Sequence, residues 1–300
     1  MQIVYISKNA ELMNETLDYV VNLMKFISRV TIILPKEQIR LIKKIKGLNI
    51  DILDEKSILK EDYSRFEKSN HVKKNWLLRS AIAKLPNTLI EKEFIMSDDD
   101  YRPLFALSEE FFKQKGTYNA YYFYNLKDWF LEGQEYDVAQ KNMYLLLKSK
   151  NLPTFCFSSH QPQIINKQYF IEATKEFEEI GREKNIDEWS TYFNYSLKNH
   201  PEKFNLKKYQ VICWPRLPTD WPVLFKPKNP FFENFYDSNY LQNELFEGLS
   251  KEYNPISHDK ISQEKIRRYE QILSKNNFIL GLRFFLIKNF RKVRLFFRQI

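Results

Sequence analysis

Residues 91–103, EKEFIMSDDDYRP, join a short apolar run to three consecutive aspartates. The run from Phe94 to Met96 has the composition of a buried strand, and Asp98, Asp99 and Asp100 follow it almost directly. In open α/β sheets, ligands bind beside the carboxyl ends of the strands. The stretch therefore predicts a strand that ends in an acidic binding site.

The preceding residues predict the sheet to which this strand belongs. Residues 2–7 and 29–34 are apolar and rich in β-branched side chains, and residues 48–53 supply a third candidate strand. Residues 10–27 have apolar side chains at helical spacing, and residues 36–46 have the pattern of a basic amphipathic helix. This alternation indicates a parallel sheet with helices on its faces.

The rest of the chain alternates in a similar way before a section rich in Pro and Trp. Helices are predicted over residues 69–87, 104–115, 134–149, 167–182 and through most of 251–300. Strands are predicted over residues 118–126 and 154–159. The section CWPRLPTDWPVLFKPKNPFF, residues 213–232, predicts an irregular excursion packed on the main domain.

The composition excludes several classes of protein. Hydrophobic residues at 43% and aromatic residues at 16% are enough for a large core, which rules out whole-chain disorder. With only six glycines, the chain has neither a GxGxxG nor a GxxxxGK[ST] phosphate loop. Cys156 and Cys213 lie in apolar surroundings and are expected to be reduced thiols. Together with the absence of a signal peptide or a membrane-spanning run, this predicts a cytoplasmic protein.

The positive charge is concentrated near the end of the sequence. Residues 279–300 contribute six cations and no acids to a net charge of +9, which leaves +3 for the other 278 residues. Cations interleaved with Phe, Leu and Ile predict an amphipathic helix on the inner face of the plasma membrane. A helix packed on a partner or on the protein's own core is the alternative. Nucleic-acid binding is disfavoured, because the remaining charge is small and no binding motif is present.

The three aspartates suit a divalent cation. Asp98 and Asp100 have the spacing that places two side chains on one side of a strand, and Asp99 joins them if the chain turns. Mn²⁺ or Mg²⁺ prefers oxygen ligands and commonly keeps water and phosphate oxygens in its shell. Such a cation offsets the charge that develops on a departing diphosphate. A solvated turn or a helix cap is the alternative interpretation.

With these features in this order, the sequence resembles bacterial GT-A-type glycosyltransferases that build capsule, lipopolysaccharide or related surface glycans. The resemblance covers about residues 1–220 and depends on the Rossmann-like start, KKNWLLRSAI (residues 73–82) and SDDDYRP (residues 97–103). FSSHQPQIINKQYF, residues 157–170, is similar to the Stealth group of capsular sugar-phosphate transferases. The implied fold is α/β, with a GT-A-like Rossmann-type mixed sheet flanked by helices and a helical C-terminal extension.

The resemblance also implies roles for particular residues. Asp98 and Asp100 would bind metal and nucleotide, and Lys73, Lys74 or Arg79 would face the diphosphate. The implied donor is a nucleotide sugar, with UDP favoured, and the implied acceptor is a glycan or glycolipid. Three segments follow, namely a catalytic domain over residues 1–220, an irregular and helical extension over 221–278 and the basic helix over 279–300.

Three further residues are candidates for the chemistry. His160 follows the predicted strand 154–159 and suits a metal ligand, a base or a group that binds a hydroxyl. An inverting transferase needs a carboxylate to accept the acceptor's proton, and Asp187 or Glu188 follows the aspartates in a suitable order. The alternative for this acid pair is the first turn of a helix, where acids are favoured. A retaining mechanism stays open.

Aromatic side chains in the second half of the chain are candidates for stacking on sugar rings, with the protein core as the alternative. They are Trp189, Tyr192, Tyr195, Trp214 and Trp221. Two other functions are also compatible with these motifs. One is a sugar-1-phosphate transferase, and the other is a non-catalytic, membrane-associated binding module.

Overall fold

The computed structural model describes residues 1–129, 131, 133–158, 161–217, 227, 229–274, 282 and 286. His160, Trp221 and the predicted boundary at residue 220 lie outside the described residues. So does the predicted basic helix over 279–300, apart from residues 282 and 286.

The described chain contains eleven strands and eight α-helices. The strands are β1 (Gln2–Ile6), β2 (Arg29–Leu34), β3 (Asn49–Asp54), β4 (Glu93–Asp98), β5 (Tyr101–Pro103), β6 (Lys113–Gln114), β7 (Thr117–Tyr122), β8 (Gln163–Asn166), β9 (Phe204–Lys208), β10 (Val211–Ile212) and β11 (Phe232–Asn234). The helices are α1 (Ala10–Leu23), α2 (Glu55–Leu59), α3 (Tyr63–Lys68), α4 (His71–Ala83), α5 (Glu135–Ser149), α6 (Lys167–Glu183), α7 (Glu188–Asn199) and α8 (residues 258–274).

A five-stranded sheet in the order β3-β2-β1-β4-β8 forms the centre of the protein. The first four strands in this order are parallel, and β8 is antiparallel to β4. The middle strands are buried almost throughout, as expected for a sheet with helices on both faces. The predicted α/β architecture with a mixed sheet is confirmed.

Two predicted helices are wrong, because other parts of the chain bind their backbone groups. Residues 36–46 form only a 3-10 turn over Lys36–Leu41. The side chain of Asn14 accepts from Lys43 N and donates to Leu41 O, both at 2.9 Å. Residues 104–115 contain a second 3-10 turn and β6, since Leu107 N donates to the carbonyl of α1's last residue at 2.7 Å.

The predicted strand over 154–159 is also wrong, because it is reduced to one bridge between Asn125 and Phe155. Side chains of α7 take the place of a neighbouring strand there. Asn194 Oδ1 accepts from Phe155 N, and Ser190 Oγ accepts from Phe157 N, both at 2.9 Å. In the predicted helical region 251–300, helix is present over 258–274 and absent from 251–257.

A small second sheet follows the aspartates. β5 pairs antiparallel with β11, and β11 pairs parallel with β10. A separate apolar cluster packs α8 against this sheet through Leu104, Ile212, Cys213, Phe246, Tyr269 and Leu273. No helix in the described ranges has the length and apolar content needed to cross a bilayer.

Candidate functional site

A cavity of about 260 Å³ opens beside the carboxyl end of β4. Its acidic side is formed by Asp98, Asp100, Asp187 and Glu188. The remaining wall comes from α4, α5, the small sheet and two loop residues, Ser158 and Trp214. The other members are His71, Val72, Asn75, Tyr101, Tyr136, Ala139, Gln140 and Asn234. The fold thus brings the aspartates of β4 together with the predicted acid pair 187–188.

The three consecutive aspartates face two directions. Asp98 and Asp100 line the cavity. The carboxylate of Asp99 instead accepts a hydrogen bond from Ser7 Oγ, just after β1, and Thr16 of α1 donates to the carbonyl of Asp99 at 2.5 Å. The chain turns directly after β4, so the pair with DxD spacing shares the cavity. The prediction that Asp99 joins a metal site is corrected.

The carboxyl of Asp99 has a raised pKa. Burial raises the pKa of Asp99 from 3.8 to about 6, against the opposing hydrogen bond from Ser7, and the charge of Asp98 adds to the rise. Folding therefore favours the protonated carboxyl. The contribution of this group to stability is present below its ordinary pKa and is lost as the pH rises through about 6.

Replacing Asp99 by Asn is expected to stabilise the protein at neutral pH, because the amide carries no charge and keeps an oxygen acceptor for Ser7. The gain in unfolding free energy relative to the parent should grow between about pH 4 and about pH 6 and then level off. Urea unfolding of both proteins across this range measures it. A gain that does not change with pH would contradict the assigned titration.

A buried arginine lies behind the acidic wall. Arg79 of α4 is only 1% exposed. It donates to Asp98 Oδ1, and its Nε lies 3.0 Å from Glu188 Oε1. Its guanidinium group also lies over the ring of Trp189, at 4.9 Å. Since Asp98 ends β4 and Glu188 begins α7, Arg79 joins the sheet to this helix.

The two lysines predicted to accompany Arg79 lie elsewhere. Lys73 Nζ donates to three main-chain carbonyls at the C-terminal end of α6, at 2.9 to 3.1 Å. Lys74 Nζ lies 5.4 Å from the centre of the Phe66 ring in α3. Neither lysine lines the cavity, because α4 turns these side chains toward neighbouring helices. The prediction that Lys73 or Lys74 faces a diphosphate is corrected.

The acid pair begins α7, and the two side chains have different surroundings. Asp187 caps the helix, accepting from Trp189 N at 3.2 Å, from Ser190 N at 3.0 Å and also from Ser158 Oγ. Glu188 forms the ion pair with Arg79. Both line the cavity and both are buried. The helix-start interpretation is therefore correct for Asp187, which also faces the site.

Sequence reasoning missed several wall residues, of which Asn234 is the most informative. Its Nδ2 donates to Asp100 Oδ2 at 2.9 Å across 134 positions of sequence, so no local signal marks it. Its Oδ1 is buried and has no hydrogen-bond partner within the described ranges. His71 begins α4, two residues before the KKNWLLRSAI segment begins at Lys73, so its place in the sequence could have indicated that it lies near the site.

Among the five aromatic candidates, the described structure places only Trp214 at the cavity. Trp189 and Tyr192 are buried in the main core, and Tyr195 packs on that core. The core interpretation therefore holds for these three residues.

A buried ion pair supports the Asp100 side of the cavity. Glu233 and Lys265 are 0% and 2% exposed, and their charged groups lie 2.7 Å apart. Tyr240 donates to the second oxygen of Glu233 at 2.5 Å. Because Glu233 precedes Asn234 in β11, this pair ties α8 to the strand that reaches Asp100.

No family model and no curated protein matches the sequence. Solved structures similar to this chain include the apo form of mouse xyloside xylosyltransferase 1, at 10% identity and a TM-score of 0.42, covering 79% of this chain and 99% of that one. Galactosyltransferase LgtC with donor and acceptor sugar analogues has 12% identity and a TM-score of 0.49, covering 88% and 95%. An active-site mutant of LgtC has 12% identity and a TM-score of 0.47, with the same coverage.

The donor groups of the cavity suit a hard divalent cation. Within the described ranges, no three His, Cys, Asp or Glu side chains form a group that would hold a metal alone. Asp98, Asp100 and Asn234 nevertheless line one cavity, and in the described ranges the buried Oδ1 of Asn234 has no hydrogen-bond partner. Mn²⁺ or Mg²⁺ often takes only one or two carboxylates and completes its shell with water and phosphate oxygens. The residues therefore fit a cation that binds together with a phosphorylated ligand.

Proposed function

We propose that the protein is a metal-dependent glycosyltransferase that moves a sugar from a nucleotide-sugar donor, with UDP as the nucleotide. The proposed acceptor is a lipid-linked or cell-surface glycan of a bacterial polysaccharide pathway. The main support is the orientation of the three aspartates. Asp98 and Asp100 share one cavity, whereas Asp99 is held by Ser7. This division leaves two carboxylates with DxD spacing for one ligand.

In the proposed site, Asp98, Asp100 and Asn234 hold Mn²⁺ or Mg²⁺. When bound, the cation supplies positive charge that stabilises the departing diphosphate. Arg79 fixes the Asp98 carboxylate through its hydrogen bond, and Asn234 fixes Asp100 in the same way. These bonds hold the two carboxylates before the ligand arrives, which lowers the cost of organising the site.

The two acids of α7 take different roles in this proposal. Asp187 accepts three hydrogen bonds, which make it a helix cap that orients Ser158. Glu188 forms an ion pair with Arg79 and also lines the cavity. It is the better candidate to accept the proton of an acceptor hydroxyl. Trp214 and Tyr136 line the cavity and are the candidates to pack against the sugar.

Parts of the proposal concern residues outside the described ranges. His160 stays a predicted metal ligand or base, and residues 279–300 stay a predicted anchor on the inner face of the plasma membrane. The division into residues 1–220, 221–278 and 279–300 also stays a prediction. Within the second of these segments, β11 contributes Asn234 to the cavity wall.

Calorimetric titration of UDP with and without Mn²⁺ tests the proposed function. We expect binding that requires the metal, because the diphosphate and the two aspartates share it. UMP, which lacks the second phosphate, is the matched control and should bind much more weakly. Failure of UDP to bind under either condition would contradict the proposal.

The two alternative functions, a sugar-1-phosphate transferase and a non-catalytic binding module, predict different results in product analysis and in nucleotide binding. A sugar-1-phosphate transferase forms a phosphodiester instead of a glycosidic bond, which mass analysis of the product distinguishes. A non-catalytic module would bind nucleotide, if at all, without regard to the metal.

A further inference from the structure

The connection between β2 and β3 carries an exposed group of positive charges. Residues 36–46, here called the cationic surface, contain one acid, Glu37, and have a net charge of +4. All of the cations are exposed, namely Lys36, Arg40, Lys43, Lys44 and Lys46. Within the described ranges none of them forms an ion pair. Lys43 is close enough to Asp18 for its charge to lower the pKa of that carboxyl, although burial raises it by more. Leu41 lies among them and is 58% exposed.

The cationic surface is held in a defined shape. Ile39, Ile42 and Ile45 pack against the main core. Asn14 of α1 donates to the carbonyl of Leu41 and accepts from the amide of Lys43, both at 2.9 Å. The cations therefore stay close together despite their mutual repulsion, and Leu41 stays exposed despite its apolar side chain.

The position of this surface relates it to the cavity. β2 ends at Leu34, two residues before the cationic surface begins at Lys36, and β4 ends at Asp98. β2, β1 and β4 are adjacent parallel strands, so their carboxyl ends lie at one edge of the sheet. The cationic surface therefore begins at the same edge of the sheet as the candidate site.

We propose that the cationic surface docks on an anionic lipid bilayer, with Leu41 entering the membrane interface. An anionic leaflet relieves the repulsion among the cations and attracts basic residues that lie within a Debye length of it. Glu11, Glu15, Asp18 and Glu252 line a pocket beside Leu41 and Lys43 and reduce this attraction, as does Glu37. Glu15 is paired with Arg102, and Lys36, Arg40, Lys44 and Lys46 lie outside that acidic pocket.

Lipid fits this surface better than nucleic acid. No aromatic residue is present between residues 36 and 46 to stack on a base, whereas the exposed Leu41 gains from an apolar interface. The cationic surface lies within the described residues and is separate from the anchor predicted at residues 279–300.

Flotation of the full chain with vesicles of equal parts phosphatidylcholine and phosphatidylglycerol tests the proposal. The variant K43E/K44E/K46E should lower the partition coefficient on the order of a hundredfold, because three attractive charges become repulsive. Leu41→Ser should lower it about tenfold or less with no change in charge. Added salt should weaken binding of the parent protein.

The matched control is K175E/K198E/K203E, which makes the same change in net charge at exposed lysines of α6, α7 and the turn that follows. This control should bind vesicles nearly as well as the parent. Equal loss in both triple variants, or no loss in K43E/K44E/K46E, would overturn the proposal. Loss of binding to a single-stranded oligonucleotide with unchanged vesicle binding would overturn it as well.

Metal-dependent UDP binding, measured without vesicles, should be the same in the parent and in K43E/K44E/K46E. This measurement separates failure of the lipid surface from failure of the proposed function.

Discussion

Replacing Asp98 or Asp100 by Asn is expected to abolish Mn²⁺-dependent UDP binding and to lower sugar transfer on the order of a hundredfold or more. The reason is the loss of a carboxylate from the cavity that would hold the cation, which contributes several kcal/mol of charge stabilisation in such reactions. Asn is nearly isosteric with Asp, and in Asp98→Asn the buried Arg79 keeps Glu188 as its charged partner, so the fold should be retained. Calorimetry and a transfer assay with a UDP-sugar measure the two effects.

Asp99→Asn is the matched control, because the same substitution is made at the residue between Asp98 and Asp100, the two proposed metal ligands. In the parent protein the side chain of Asp99 accepts a hydrogen bond from Ser7 instead of lining the cavity. UDP binding in this variant should remain within a few fold of the parent. Equal loss in all three variants would show that the triplet acts as one unit, against the orientation described above. Full activity of the Asp98→Asn/Asp100→Asn double variant would contradict the proposed mechanism.

Replacing Arg79 by Leu is expected to destabilise the protein by about 3–5 kcal/mol, since one partner of a buried ion pair is removed. Asp98 and Glu188 would then face each other without the guanidinium group that lies between them. Urea unfolding at neutral pH measures the loss. Arg79→Lys keeps the charge but lacks the planar fork that bonds two carboxylates, so it should lie between the parent and Arg79→Leu.

The change with pH in the unfolding free energy of the Arg79→Leu variant tests whether loss of the ion pair causes the destabilisation. Without the arginine, repulsion and burial should raise the pKa of Asp98 and Glu188 above their unfolded values. Folding then favours their protonated forms, so the deficit in stability should shrink as the pH falls from about 7 to about 5. A loss smaller than about 1 kcal/mol, or a deficit that grows in acid, would contradict this account.

Local sequence was sufficient for elements whose own residues determine them. The strand over residues 29–34 has the bounds of β2, and the helix over 167–182 ends one residue before α6 does. Local sequence was insufficient where distant side chains bind the backbone. Asn14 holds residues 41–43 out of a helix, and Asn194 binds both main-chain polar groups of Phe155.

The site residues show the same difference between those that local sequence determines and those that distant contacts determine. Asp98 and Asp100 were predictable because their spacing and the preceding strand lie within one short stretch. The different directions of Lys73 and Arg79 depend on how α4 is rotated against α6 and α7, which the sequence of α4 does not specify. Asn234 depends on the pairing of β5 with β11, a contact between segments far apart in the chain.

The buried pair of Glu233 and Lys265 makes α8 and the cavity wall parts of one cooperative unit. Separating α8 from the small sheet would expose both charges and would loosen the strand that carries Asn234. The amide hydrogens of β11 and α8 should therefore exchange with solvent through a shared sub-global opening. A disturbance of α8 would reach Asp100 through this strand, although α8 does not itself line the cavity.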